Sequence, residues 1–141
     1  MLENGNCIFI GGKSMTVSYQ EKDFFSNDSH NLLLTLKDTN ERTEKKQLFL
    51  ACAIYKSLSS KYTWNNSISY RKIQSDIFCL PICLNDDGTP VIDHNHTYHP
   101  DGYVPDFDYM EKYIRAIQKM VITDVVKYKD SVIEQTRKVT A

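Results

Sequence analysis

The sequence predicts an α+β protein: a small mixed β/α domain followed by one long C-terminal helix that pairs in a helical or coiled-coil arrangement. Three observations carry this expectation. Short runs rich in β-branched and aromatic residues, broken by glycine and asparagine, fill the first quarter of the chain. A helical apolar pattern starts after Thr43, and a much longer one starts after Asp106. The composition is that of a chain able to bury one core, with 141 residues, 41% of them hydrophobic and 25% charged.

Cys7 to Gly12 and Ser14 to Gln20 read as two short strands joined by the Gly11-Gly12 turn. Glu21 to Asn31 is a polar connector pinned by Phe24 and Phe25. Leu32 to Leu36 is a compact apolar run of strand length, and Lys37 to Thr43 carries the turn chemistry of Asp38, Thr39 and Asn40. Thr43 caps a helix running from Glu44 to about Ser60, whose buried face is expected from Leu48, Ala51, Ala53, Ile54, Tyr55 and Leu58. A loop from Lys61 to Ser67 follows, then a short helix over Tyr70 to Gln74. Asp76 to Ile82 reads as a strand, with Pro81 placing it at an edge or at its end. Asn85 to Pro105, with Asp87-Gly88 and Asp101-Gly102 as turn signals, reads as a linker. The expected division is therefore 1–84, 85–105 and 106–141.

Asp108 with Glu111 three residues on forms a capping-box pattern at the start of the last helix. Met110, Ile114, Ile117, Val121, Val125, Tyr128, Val132 and, after a polar gap, Val139 then recur mostly in steps of three and four. Unbroken, such a helix is about 45–50 Å long. A core built from roughly 85 residues cannot cover so long a stripe, so its C-terminal half needs a second helix, antiparallel or in a coiled coil.

Net charge is −1, which excludes a wholesale basic protein but not a local basic patch. The four cysteines, Cys7, Cys52, Cys79 and Cys83, sit among apolar neighbours and are expected as small buried hydrophobes, Cys79 and Cys83 included. The start of the chain lacks a basic, apolar leader, and no apolar run reaches bilayer-spanning length. The expected setting is reducing, soluble and cytoplasmic, with no membrane partner.

Gly11-Gly12-Lys13-Ser14 invites comparison with a phosphate-cradling loop. That loop needs a first glycine where this chain has Cys7, and a helix where Met15 to Tyr19 alternates like a strand. A hairpin turn is favoured, with Lys13, Ser14, Thr16 and Tyr19 forming an edge able to contact DNA. Asp93 to His99 holds His94, His96 and His99 at spacings that could place imidazoles on one metal. The run lies in a polar stretch without a nearby cysteine and reads as an exposed loop, so no metal is assigned. No pattern assembles a nucleophile, base and orienting group, and neither enzyme activity nor a cofactor is expected. The Trp64 loop gathers Trp64, Asn65, Asn66, Tyr70, Arg71 and Lys72, groups that read base edges, hold phosphates and pack on sugars. The same loop is equally compatible with a plain turn anchored by a buried Trp64.

Asp106 to Ile122, continuing through Asp124-Val125-Val126-Lys127-Tyr128, resembles the helix that ends a target-recognition half in restriction–modification specificity proteins. The likeness is to the specificity regions of type IIB and IIG restriction enzymes and to type I specificity (S) subunits. Gly11-Gly12, Thr16 to Gln20 and Asp23-Phe24-Phe25 look like the middle of a recognition domain, and Tyr70 to Ile73 with Ile77 to Pro81 like its closing segment. The resemblance implies a non-catalytic module that reads double-stranded DNA from its head. It implies a helix that pairs with a second specificity half or a second copy and docks a methyltransferase or restriction subunit. The family's recognition halves carry further strands ahead of the segment matching residue 5, so a reduced sheet with an open edge is expected, and Val91 to Pro105 reads as an insertion. The alternative is a helix-mediated assembly protein without DNA readout.

Overall fold

The computed structural model describes the backbone of residues 1–140 and the side chains of residues 1–138. Five short strands precede the helices: β1 Leu2–Glu3, β2 Cys7–Ile10, β3 Val17–Gln20, β4 Phe24–Phe25 and β5 Leu32–Leu34. The helices are α1 Glu44–Leu58, α2 Tyr70–Ile73 and α3 Phe107–Thr140. The chain is α+β, with small antiparallel sheets and one long C-terminal helix.

β2 is the centre of a three-stranded antiparallel sheet in the order β3-β2-β5, with Ile8 opposite Tyr19 and Phe9 opposite Leu33. Strand alternation decides what each face does. Ile8 and Ile10 enter the core with Leu50, Ala51, Ile54 and Leu58 of α1, while Phe9 meets Phe24 edge-on at 5.7 Å. Phe24 and Phe25 were expected to pin a connector; they form β4, paired with β1, and Phe25 is 82% exposed.

Thr43 caps α1 as its sequence predicts, accepting from the Lys46 N–H. The buried face is shifted from expectation: Tyr55 is exposed and Ala53 half-buried, whereas Lys46 and Gln47 are buried. Gln47 Nε2 donates to the Asn6 carbonyl and side-chain oxygens, and its Oε1 has no hydrogen-bond partner among the described residues. Lys46 bonds Glu41, lies 4.0 Å from Glu111 of α3 and sits over the Phe107 ring. Glu41's hydrogen bond, against the opposing pull of burial, raises the Lys46 ammonium above its ordinary range.

Residues 76–82 do not form the expected strand. They carry no regular secondary structure, and Ile82 pairs Pro105 in an isolated bridge. Residues 85–105 are not slack chain. Leu84 bridges Pro90, Ile92 bridges Tyr103, and Cys83 donates its N–H to Val104 while its carbonyl accepts from Val91. Prolines at 81, 90 and 105 remove N–H groups from these ladders, which keeps the pairings too short to count as strands. Cys52 and Cys79 are exposed, contrary to the expectation of burial, while Cys7 is buried and all four thiols are free.

The start of α3 also differs. Asp106, not Asp108, accepts from the Tyr109 N–H at 2.8 Å, and the helix begins at Phe107. Glu111 does not reach back to close a capping box; it pairs with Arg115 and Lys46. At 34 residues the helix is about 50 Å long. Its first two turns seat Phe107, Met110 and Ile114 against the core, and every described residue from Lys119 onward is exposed. Among the described residues no helix is long and apolar enough to cross a membrane.

Candidate functional site

The stripe predicted for pairing divides into two parts. Met110 and Ile114 are 0% and 8% exposed, so they belong to the head and are not free to meet a partner. Ile117, Val121, Val125, Tyr128 and Val132 lie along the arm, from 40% to 73% exposed. Met120, Ile122, Val126 and Ile133 widen this apolar surface, and a single stripe at steps of three and four did not include them. The side chain of Val139 lies outside the described residues. At the root of the arm a groove of about 820 Å³ runs between α1 and α3, lined by Phe49, Ala53, Cys79, Tyr109, Tyr113 and Ile117. Phe49 meets Tyr113 edge-on at 5.6 Å, and Tyr109 stacks beside Tyr113.

The β2–β3 turn is the hairpin the sequence favoured. Gly11 N–H donates to Thr16 O at 2.8 Å and Met15 N–H to Gly11 O at 2.9 Å. The residue with positive φ is Met15, at 52°, rather than either glycine. Gly12 is required by space: a Cβ there would sit 2.0 Å from the His30 carbonyl oxygen. The polar groups of this edge are engaged within the head. Lys13 pairs with Asp28 at 3.2 Å, and Ser14 bonds Thr16 at 2.9 Å. Tyr19 donates its hydroxyl to Asn6 at 3.1 Å, beyond the far end of the β2–β3 pair from Lys13. The backbone N–H and ring of His30, with Lys13, hold the Asp28 carboxyl far below its usual range.

The Trp64 loop lacks the buried tryptophan anchor of the plain-turn reading. Thr63 and Asn66 close a tight turn by reciprocal backbone bonds, which puts Trp64 and Asn65 at the tip. Trp64 is consequently 74% exposed and anchors nothing. The buried aromatic is its neighbour Tyr62, whose hydroxyl donates to Asp76 at 2.6 Å, with Lys61 on the same carboxylate. Burial pushes the Asp76 carboxyl up, but the Lys61 and Tyr62 hydrogen bonds outweigh it and leave the group below its ordinary range. Lys72 Nζ donates to Asn66 and to the Ser67 carbonyl at 2.8 Å each. Tyr70 is 72% exposed, and Arg71 is exposed with no ion pair or hydrogen bond among the described residues.

Asn31 links the two edges. Its Oδ1 accepts from the Gly12 N–H, and it lines an apolar cleft of about 530 Å³ together with Tyr70, Ile73, Asp76 and Phe78. Trp64, Asn65, Tyr70 and Arg71 are thus exposed, with Tyr70 lining this cleft, while Lys13, Ser14 and Thr16 at the turn and Tyr19 at the other end of the hairpin are engaged within the head.

His94, His96 and His99 occupy the exposed tip of the 89–106 hairpins, where Asp93 accepts from the Asn95 and Thr97 N–H groups and His99 Nδ1 accepts from Asp101 N–H. Among the described residues no group of three or more His, Cys, Asp or Glu is placed to hold a metal ion. Comparison with protein-family models, with curated proteins and with solved structures finds no match to this chain.

Proposed function

We propose that this chain is a non-catalytic binding module of the restriction–modification specificity kind. It pairs through its arm and offers double-stranded DNA the exposed Trp64, Asn65, Tyr70 and Arg71 of its head. The observation that carries the reading is the arm itself: about 30 Å of helix beyond the head bearing an apolar surface that no described residue of this chain covers. A polar helix would be at home in water, but this one loses stability unless a second surface removes the stripe from solvent. The partner is a second copy, a second specificity half, or a methyltransferase or restriction subunit, in the reducing cytoplasm that four free thiols suit.

DNA binding rests on two features. Trp64 and Tyr70 present exposed aromatic rings and Arg71 a guanidinium without a partner among the described residues, groups that stack on sugars and bases or fork onto guanine. The positive charge is on the arm: residues 112–141 hold seven Lys or Arg against three Asp or Glu, whereas residues 1–111 hold ten against fifteen. Phosphates are therefore drawn to the arm and repelled by most of the head.

A second reading has its own support, since Lys13, Ser14, Tyr19, Asn66 and Lys72 are all engaged internally. In that reading the chain assembles other subunits and reads no sequence. Selection of the full chain against a random duplex library, at low and at physiological salt, separates the two. An enriched motif supports specific readout. Salt-sensitive retention without enrichment leaves phosphate contact alone, and no retention leaves assembly. If Arg71 reads a base, Arg71→Ala costs about 1–3 kcal/mol and relaxes one position of the motif.

A further inference from the structure

We propose that the free edge of β5 docks an extended segment of a partner protein, uncharged and apolar at every second residue, which joins the sheet as a fourth strand. The site lies in the head and depends neither on the arm nor on DNA binding.

β5 is the last strand of the order β3-β2-β5 and pairs with β2 alone. Among the described residues no other backbone group bonds the backbone of residues 32–36, and the further bond there runs from Arg42 Nε to the Leu36 carbonyl. An antiparallel strand turns the N–H and C=O groups of successive residues to opposite sides. Alternate residues of β5 therefore face away from β2 with their backbone groups unpaired.

The cleft of about 530 Å³ follows this edge rather than one face of the sheet. Leu32 and Leu34 turn toward the core and Leu33 away from it, yet Asn31, Leu32, Leu33 and Leu34 all border the cleft. Leu33 also borders a second cavity with Met1 and Ser26, beside β1 and β4. The rest of the cleft comes chiefly from Ile54 and Leu58 of α1 and from Ile73 and Phe78. Four strand residues span roughly 14 Å, so the cleft is about 40 Å² in cross-section, close to one strand spacing by the depth of a sheet layer. It takes one strand. The edge of a second folded head would bring its next strand about 4.8 Å behind the first, which favours a free extended segment.

The lining sets the chemistry of that segment. Asp76 is the one charged residue among those that line the cleft, and Lys61 and Tyr62 already hold its carboxylate. A charged side chain entering here would be buried without a counter-ion, so the residues that enter are uncharged. Backbone bonds along the edge supply affinity, and the apolar lining selects alternate residues. The sequence of the edge agrees. Strands left to solvent are ordinarily guarded by charge, proline or a bulge. Leu32-Leu33-Leu34-Thr35-Leu36 has neither charge nor proline, and the consecutive register of β5 with β2 leaves no bulge. The opposite edge, β3, is the more polar Val17-Ser18-Tyr19-Gln20, with Tyr19 tied to Asn6.

The test uses the full chain throughout. Residue-resolved amide hydrogen exchange of the free chain should show fast and slow N–H groups alternating over residues 32–36. A random twelve-residue peptide display library is then panned against the immobilised chain, and the enriched peptides are synthesised. They are expected to carry uncharged apolar residues at alternate positions and to slow the fast amides of residues 32–36. Methylating the peptide amides that face β5 should abolish binding, and methylating those that face away should not. Gln74 is exposed and borders the cleft, so Gln74→Trp fills it from outside the core and should weaken each peptide roughly tenfold or more. Circular dichroism checks that this variant keeps its fold. Uniform protection of residues 32–36 in the free chain overturns the proposal, as does a library from which no peptide protects these amides. Protection that grows with the concentration of the chain alone makes the occupant a second copy, and enriched peptides that bind as helices make the cleft a helix groove. Either result overturns the partner strand.

Discussion

Gly12 shows how a residue can be right in the sequence for the wrong reason. A Gly-Gly pair before a strand signals a turn whose φ needs glycine, yet the left-handed residue is Met15, buried at 4% exposure. Gly12 is there because the backbone of His30 passes within contact of its Cα, and its N–H donates to Asn31 at 3.3 Å. Gly12→Ala is therefore expected to destabilise by about 1–3 kcal/mol, as overpacking against backbone does. Gly11→Ala meets only the Ser14 hydroxyl, a movable group, and should cost less. Urea melts of the two variants check the order, and equal midpoints would sink the steric account. Gln47 is the opposite case. Nothing in a helical pattern distinguishes it from a surface glutamine, because its burial is decided by Asn6, forty-one residues earlier. Gln47→Ala strips two hydrogen bonds and leaves the Asn6 carbonyl without that donor, so a loss of about 2–3 kcal/mol is expected in the same melts. Trp64 and Tyr62 were likewise indistinguishable by composition. The four-residue turn puts one at its tip and the other inside, and turn closure by Thr63 and Asn66 is a backbone property that side-chain type does not report.

At the scale of elements, what was legible had a strong period or a cap. α1 starts where Thr43 says it should, and α3 runs the length that its repeat demands. The 76–106 region was not legible, because prolines interrupt its pairing and its pairings are single bridges, Leu84 with Pro90, Ile92 with Tyr103 and Ile82 with Pro105, rather than strands. Its tip depends on Asp93. The Thr97 hydroxyl and N–H and the Asn95 N–H hold this carboxyl down at about 2, below its ordinary 3.8. A carboxylate depressed in the folded state stabilises above its unfolded value, and that contribution is lost as pH falls from about 4 through 2. Asp93→Asn should lower the melting temperature at pH 7, and the gap from wild type should close between pH 4 and pH 2. Asp28, Asp76 and Glu111 are also held below their ordinary values, so the wild-type melting temperature itself falls over the acid range. A gap of constant size at every pH would mean that Asp93 acts by shape and not by charge.

The whole molecule is polarised in two senses, apolar exposure and charge, and both concentrate on the arm. The head closes its core with Phe107, Met110 and Ile114, so residues from Lys119 onward add nothing to it. Ending the chain after Gln118 should therefore leave the head's melting temperature within a few degrees of the wild-type value at low concentration, the range of a surface change. The two chains should diverge as concentration rises. Association through the arm links folding to dimer formation, so the full chain's melting temperature climbs with concentration, and the shortened chain's does not. Charge follows the same division: the shortened chain keeps every acidic residue of the head and loses most of the arm's cations, so its retention on duplex DNA should fall at low salt. If the shortened chain melts far below the full chain even at high dilution, the arm is part of the head's fold rather than a free surface. If it binds duplex as well as the full chain does, DNA is held by the head alone, and Trp64, Tyr70 and Arg71 must carry that affinity against the head's own negative charge.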